Sequence, residues 1–255
     1  MSKTLLDCWQ DTVRQHGAKV ALIEAATGHT YTFAQLDARS DAWLQAHRAA
    51  LAGIAGRSVV FSASNGARWF DLMLGLIKSR AIAVPMDAAE PAAAQRRLAE
   101  ALRAGALWEQ DRLVPLATAQ RSAKRHRDAA YCLIKLTSGS TGTPRPLLFT
   151  HGQMIADATQ VMSTMGITPA DLNYALIPLG HSYGLGNVTL PLLIAGVPAV
   201  CGSAPLPHAI DADVAKWKPT VFPSVPAILR ALAATEGLKL ESLRRVISAG
   251  APLPV

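Results

Sequence analysis

Within residues 58 to 84 the chain runs strand, turn, helix, strand, and that succession admits few architectures. Ser58-Val-Val-Phe-Ser62 is a compact apolar strand, Asn65-Gly66 a turn, Trp69 to Ser79 an apolar helix, and Ala81-Ile-Ala-Val84 a second strand. A right-handed crossover makes the two strands parallel neighbours in a covered sheet. The same alternation continues after residue 131, through strands predicted at Tyr131–Leu136, Leu147–Phe149, Tyr174–Ile177, Val197–Cys201, Thr220–Phe222 and Arg245–Ser248. An α/β fold with two sheet-containing lobes and flanking helices is therefore expected.

The N-terminal segment adds a helix from Thr4 to His16, a hairpin of Val20–Ile23 with Thr30–Thr32, and a helix from the capping box at Thr32-Phe-Ala-Gln35 to about Ala52. Thr150-His-Gly-Gln153 opens another helix, reaching about Met165, with His151 placed to serve its start. Ala88 to Ala106 reads as alanine-rich helix, and Arg121 to Asp128 as a linker that sets a lobe boundary near residues 121–130. Trp69, Trp217 and Phe222 are expected in the core.

Half of the 255 residues are apolar and 17% are charged, enough for a packed interior. The formal charge of +7 could suit a polyanion, but the basic residues concentrate in Arg121 to Arg127, which lacks interleaved aromatics and any nucleic-acid motif. No nucleic-acid partner is expected. Cys8, Cys132 and Cys201 are far apart and odd in number, which predicts reduced, buried thiols. Asp7 and Asp11 interrupt any secretory leader, so a cytoplasmic protein is expected. The apolar run Val188–Val200 is shorter than the ~20 residues of a membrane span and reads as buried helix then strand.

The stretch with most chemistry is Thr137-Ser-Gly-Ser-Thr-Gly-Thr-Pro-Arg145, directly after an apolar strand. Gly139 and Gly142 permit close backbone approach, Ser138, Ser140, Thr141 and Thr143 offer hydroxyls, and Arg145 adds a permanent cation. A triphosphate suits such a loop, although a flexible connection has the same composition. It is not a Walker loop, because Thr143-Pro144 follows Gly142. Nor is it a nucleophile elbow, because Ser138 stands two residues before Ser140 where glycine is needed.

TSGSTGTPR resembles the phosphate-binding segment of the adenylate-forming superfamily, which includes acyl-CoA synthetases, nonribosomal-peptide adenylation domains and luciferases. The resemblance implies that Thr137, Ser138, Gly139, Ser140, Thr141 and Gly142 wrap the phosphates of ATP with Arg145 beside them. Arg145-Pro146 departs from the usual Lys-Gly, keeping the charge but stiffening the loop. His181-Ser182-Tyr183-Gly184 resembles the acyl-pocket segment, and Gly250-Ala251-Pro252 the loop against adenine. Thr150-His-Gly152 and Phe222–Pro226 also sit where relatives carry similar segments. His181 is expected to contact the pocket rather than carry a proton, since carboxylate attack on ATP needs no general base.

The resemblance further implies ATP with Mg²⁺, a carboxylic acid as substrate, and coenzyme A or the phosphopantetheine of an acyl carrier protein as acyl acceptor. No charge lies within His181 to Gly186 to select an ammonium group, which favours a fatty or aryl acid. Relatives place a Thr-Glu pair, a ribose-binding aspartate and a lysine-bearing C-terminal domain after the adenine loop. Residues 1–255 are therefore expected to be a partial adenylation domain, incomplete as a catalyst and open to dimerisation or self-association at a strand edge. A non-catalytic remnant of the same fold is the alternative.

Overall fold

The computed structural model describes residues 3–116, 130–137 and 145–253. It contains two six-stranded sheets with helices on their faces. The lobe boundary expected near 121–130 falls almost entirely outside the described residues.

The chain starts with α1 (Leu5–His16) and the hairpin β1 (Val20–Glu24) and β2 (His29–Thr32), continues into α2 (Phe33–Ala46), and then enters the second sheet. That sheet is built by β3 (Ser58–Ser62), α3 (Ala67–Lys78), β4 (Ile82–Met86), α4 (Ala92–Ala101), β5 (Ala106–Glu109), β6 (Arg112–Pro115), β7 (Tyr131–Thr137) and β8 (Arg145–Thr150). Its order is β6-β5-β3-β4-β7-β8; the four inner strands are parallel and the two edges are antiparallel. The expected parallel crossover through α3 is present.

Helix α5 (His151–Met165) returns the chain to the first sheet. There follow β9 (Asn173–Ala175), the helical stretch α6 (Ser182–Gly184), a π-helical segment Leu185–Thr189 and α7 (Leu190–Ala195), then β10 (Ala199–Cys201), α8 (Pro207–Trp217), β11 (Val221–Ser224), α9 (Pro226–Ala233) and β12 (Arg245–Ser248). The order is β12-β11-β9-β10-β1-β2, all parallel except for β2.

Local chemistry explains many boundaries. Thr4 with Asp7, Thr32 with Gln35 and Thr150 with Gln153 each form a reciprocal capping box, satisfying backbone N–H groups that the first turn leaves over. Helix α2 stops at Ala46, short of the expected Ala52, where the His47 ring meets the Trp43 carbonyl at 2.8 Å and stacks on the Trp43 ring. The Ala88–Ala106 helix shrinks to α4, and the hairpin β5–β6 appears behind it. Its turn residues Gln110 and Asp111 have φ of 48° and 59°, the backbone that two-residue hairpin turns need, without the Asn-Gly that would announce it.

The two sheets share one continuous core in which Trp9, Phe33, Phe61, Trp69 and Phe70 are all at most 1% exposed. Each such side chain contributes ~1.5–3 kcal/mol by leaving water. A polar tie crosses between sheets as well: Glu24 of β1 accepts from the Ala67 N–H at 2.8 Å, placing a carboxylate at the positive end of α3. Trp69 and Phe222 are fully buried, while Trp217 is partly so. The three cysteines are buried and free, and burial pushes the Cys132 and Cys201 thiols up to about 12. Among the described residues, no helix is long and apolar enough to cross a membrane.

Candidate functional site

Strands β3 and β4 are parallel neighbours whose following helices cover opposite faces. Phe61 lies 5.8 Å from Trp69 of α3, whereas Val60 packs in the cluster that contains Ala99 of α4. The loops leaving the two carboxyl ends therefore part, which opens a crevice of the kind where open α/β sheets bind ligands. Ala63, Ser64 and Asn65 line one side of it, Met86, Asp87 and Ala88 the other, and the segment after β9 closes it to a volume of about 140 Å³.

Asn65 fixes that closing segment. Its amide donates to the Ile177 carbonyl at 2.8 Å and accepts from the Leu179 N–H at 3.0 Å. This cross-sheet clamp is also why β9 ends at Ala175 instead of the expected Ile177. Directly beyond, His181 Nε2 stands 3.3 Å from Asp87 Oδ2, with the imidazole more than half exposed and the carboxylate about a quarter exposed.

Ser182, Tyr183 and Gly184 form the first helical turn after His181. A Cβ on Gly184 would lie 2.1 Å from the Pro178 carbonyl oxygen, so glycine alone allows the turn to fold back this closely. Asn187 donates to the Tyr183 carbonyl at 3.1 Å, within the π-helical segment, a local widening of the helix often found at functional sites. The Tyr183 hydroxyl donates to the Ile247 carbonyl of β12 at 2.8 Å, and burial pushes its pKa up to about 12.

Strand β12 leads into Gly250, whose φ of +93° favours glycine; Ala251 and Pro252 follow at the surface. The acyl-side and adenine-side candidates are thus tied together through Tyr183. Thr137 and Arg145, the described ends of the Ser/Thr/Gly-rich loop, face each other in register on β7 and β8. Ser138, Gly139, Ser140, Thr141 and Gly142 lie outside the described residues. Two residues before Thr137, Lys135 pairs with Asp157 of α5 at 3.3 Å, and Asp157 borders Gly186, so strand β7 is linked to the same helical stretch. Pro146 occupies the edge strand β8, where a missing N–H is tolerated.

His151 serves a helix start, though a different one from that expected. Its Nδ1 accepts from the Leu5 N–H of α1 at 3.1 Å, while Thr150 and Gln153 cap α5. Burial lowers the pKa of His151, consistent with a neutral ring acting as acceptor.

Residues 104–255 match the family described as AMP-binding enzyme. The chain belongs to this family. It is 33% identical over 126 residues to a feruloyl-CoA synthase of an Amycolatopsis species, covering 48% of this chain and 26% of that protein. It is 32% identical over 150 residues to an anthranilate–CoA ligase of Pseudomonas aeruginosa, covering 56% of this chain and 28% of that protein. The matched region thus spans about a quarter of each relative's length. Among solved structures, the anthranilate CoA ligase AuaEII in complex with anthranoyl-AMP superposes with a TM-score of 0.83 at 21% identity, covering 99% of this chain and 55% of that one. That likeness shows a shared α/β fold with two mixed sheets.

Sequence reasoning missed Asn65 and Asp87. Asn65-Gly66 read only as a turn, and Asp87, three residues beyond the strand read at Ala81–Val84, carried no reading. Position supplied a signal for both, because each follows the carboxyl end of one of the two parallel strands read from the crossover.

Proposed function

We propose that the protein takes part in activating a carboxylic acid with ATP as an acyl-adenylate, for transfer to the thiol of coenzyme A or of a carrier-protein phosphopantetheine. The observation that carries this reading is the family match over residues 104–255, which takes in both the Thr137–Arg145 stretch and the Gly250–Pro252 turn. In this proposal Thr137 to Gly142 and Arg145 hold phosphates, Gly250, Ala251 and Pro252 lie against adenine, and His181 to Gly184 border the acid. An aryl acid is favoured, since relatives are named for ferulate and anthranilate. Activation of this kind rests on holding two anions in line and stabilising the charge that develops between them.

Among the described residues no three His, Cys, Asp or Glu side chains converge as a metal site. The proposal places the reaction in the cytoplasm with no nucleic-acid partner.

ATP–pyrophosphate exchange, measured with the full reading frame against fatty, aryl and amino acids, tests it. Exchange that depends on one acid class supports the reading and names the substrate class. Absence of exchange with every acid would favour a non-catalytic member of the family, for which Arg145-Pro146 in place of Lys-Gly is the motivating departure.

A further inference from the structure

We propose that Asp87 is a positioning residue that sets which ring nitrogen of His181 carries the proton, and so which nitrogen faces the acyl substrate. The proposal rests on the reading of the His181 segment as the acid side of the site.

Asp87 follows β4 at the point where the β3 and β4 loops part, and it lines the crevice. Its two oxygens have separate tasks. Oδ1 accepts from the Ala89 N–H at 2.9 Å, which fixes the carboxylate within its own turn. Oδ2 is thereby aimed across the crevice at His181 Nε2, 3.3 Å away. The backbone that carries the ring is fixed as well, because Asn65 bonds the Ile177 carbonyl and the Leu179 N–H, and Gly184 lets the turn after it close against Pro178. Separations of this length between a ring and its orienting carboxylate commonly tighten once a ligand arrives.

A carboxylate can only accept. A neutral His181 facing it therefore carries its proton on Nε2, leaving Nδ1 as an acceptor for a donor on the bound acid, such as a hydroxyl or amino group. His181 alone shows none of this, since an isolated imidazole populates both tautomers. The specificity is supplied from the other sheet, by a residue more than ninety positions away in the chain.

The substitution D87N makes a sharp test because Asn is isosteric. The Ala89 N–H will retain the amide oxygen, so the NH₂ group must face His181. A donor there requires Nε2 to accept, and the proton moves to Nδ1. Ring ¹⁵N shifts of His181, assigned by loss of the signal in H181Q, read the tautomer directly. The expected result is Nε2–H in the parent protein and Nδ1–H in D87N, with D87E restoring the parent pattern.

In the exchange assay, D87N should raise KM for the acid about tenfold and leave KM for ATP within twofold. An unchanged tautomer in D87N overturns the proposal, and so does an inverted tautomer with unchanged acid KM. Should the parent protein exchange with no acid, the acyl-activation reading fails and takes the acid-binding role with it, while the ring shifts still decide whether Asp87 sets the tautomer.

Discussion

The Tyr183 hydroxyl donates to the carbonyl of Ile247 at 2.8 Å, joining the turn after His181 to the strand that delivers Gly250. Replacing Tyr183 by Phe keeps the ring, which packs with Ile167, Val197 and Val221, and removes only that bond. A loss of about 1 kcal/mol is expected, the usual net worth of one partly buried hydrogen bond. Urea titration of Y183F checks this; an unchanged midpoint would mean that the two segments are held by packing alone.

Gly184 and Gly152 make a matched pair of glycine tests. At Gly184 an added methyl meets the backbone of Pro178 and Leu179, which cannot rotate away as a side chain could. G184A should therefore cost roughly 2–3 kcal/mol, in the range of overpacked interiors. At Gly152, in the first turn of α5, nothing lies within 4 Å of an added Cβ. G152A should gain about 0.5 kcal/mol from helix propensity. Thermal melts of the two variants moving in the same direction would contradict this account.

Much of the fold was legible because its local signals agree with its tertiary ones. Ser58–Ser62 and Arg245–Ser248 are strands at the boundaries read from their apolar composition, and α5 ends at Met165 before Gly166, whose φ of +60° suits a helix stop. The hairpin β5–β6 was hidden because Ala and Leu dominate the residues around it and its turn uses Gln110-Asp111. Pairing with β3, a contact across about fifty residues of sequence, overrides that helical preference. The candidate site divides in the same manner. His181 to Gly184 and Gly250 to Pro252 were visible as segments, whereas Asn65 and Asp87 acquire meaning only when parallel pairing brings the ends of β3 and β4 together.

His151 predicts a pH dependence near neutrality. Burial lowers its pKa from 6.5, so the unfolded chain takes up this proton before the folded one does. Its contribution is complete above about pH 6.5 and is lost as the pH falls through the lowered folded value. Protonation at Nδ1 also removes the acceptor for the Leu5 N–H. The melting temperature of the parent protein should fall as the pH drops below about 6.5 more steeply than that of H151Q, whose amide oxygen can still accept. Parallel curves for the two proteins would show that this ring does not set the dependence.

Asp171 governs a second transition at lower pH. Burial alone would raise its carboxyl, but the Arg244 guanidinium, the Thr168 N–H and the Thr220 hydroxyl all bond the charged form and hold it at about 2, below its ordinary 3.8. The folded value is depressed, so this stabilisation is present above about pH 4 and disappears as the pH falls towards 2. These bonds join the loop after α5 to the residues leading into β11 and β12, and Arg244 also donates to the Gly166 carbonyl at 2.7 Å. D171N should cost about 2 kcal/mol at neutral pH, the scale of charge-assisted hydrogen bonds, and flatten the stability curve between pH 4 and 2. Acid titration followed by circular dichroism measures both effects. If D171N loses stability at pH 7 yet keeps the parent slope below pH 4, other carboxylates must carry the acid transition and Asp171 acts only through its geometry.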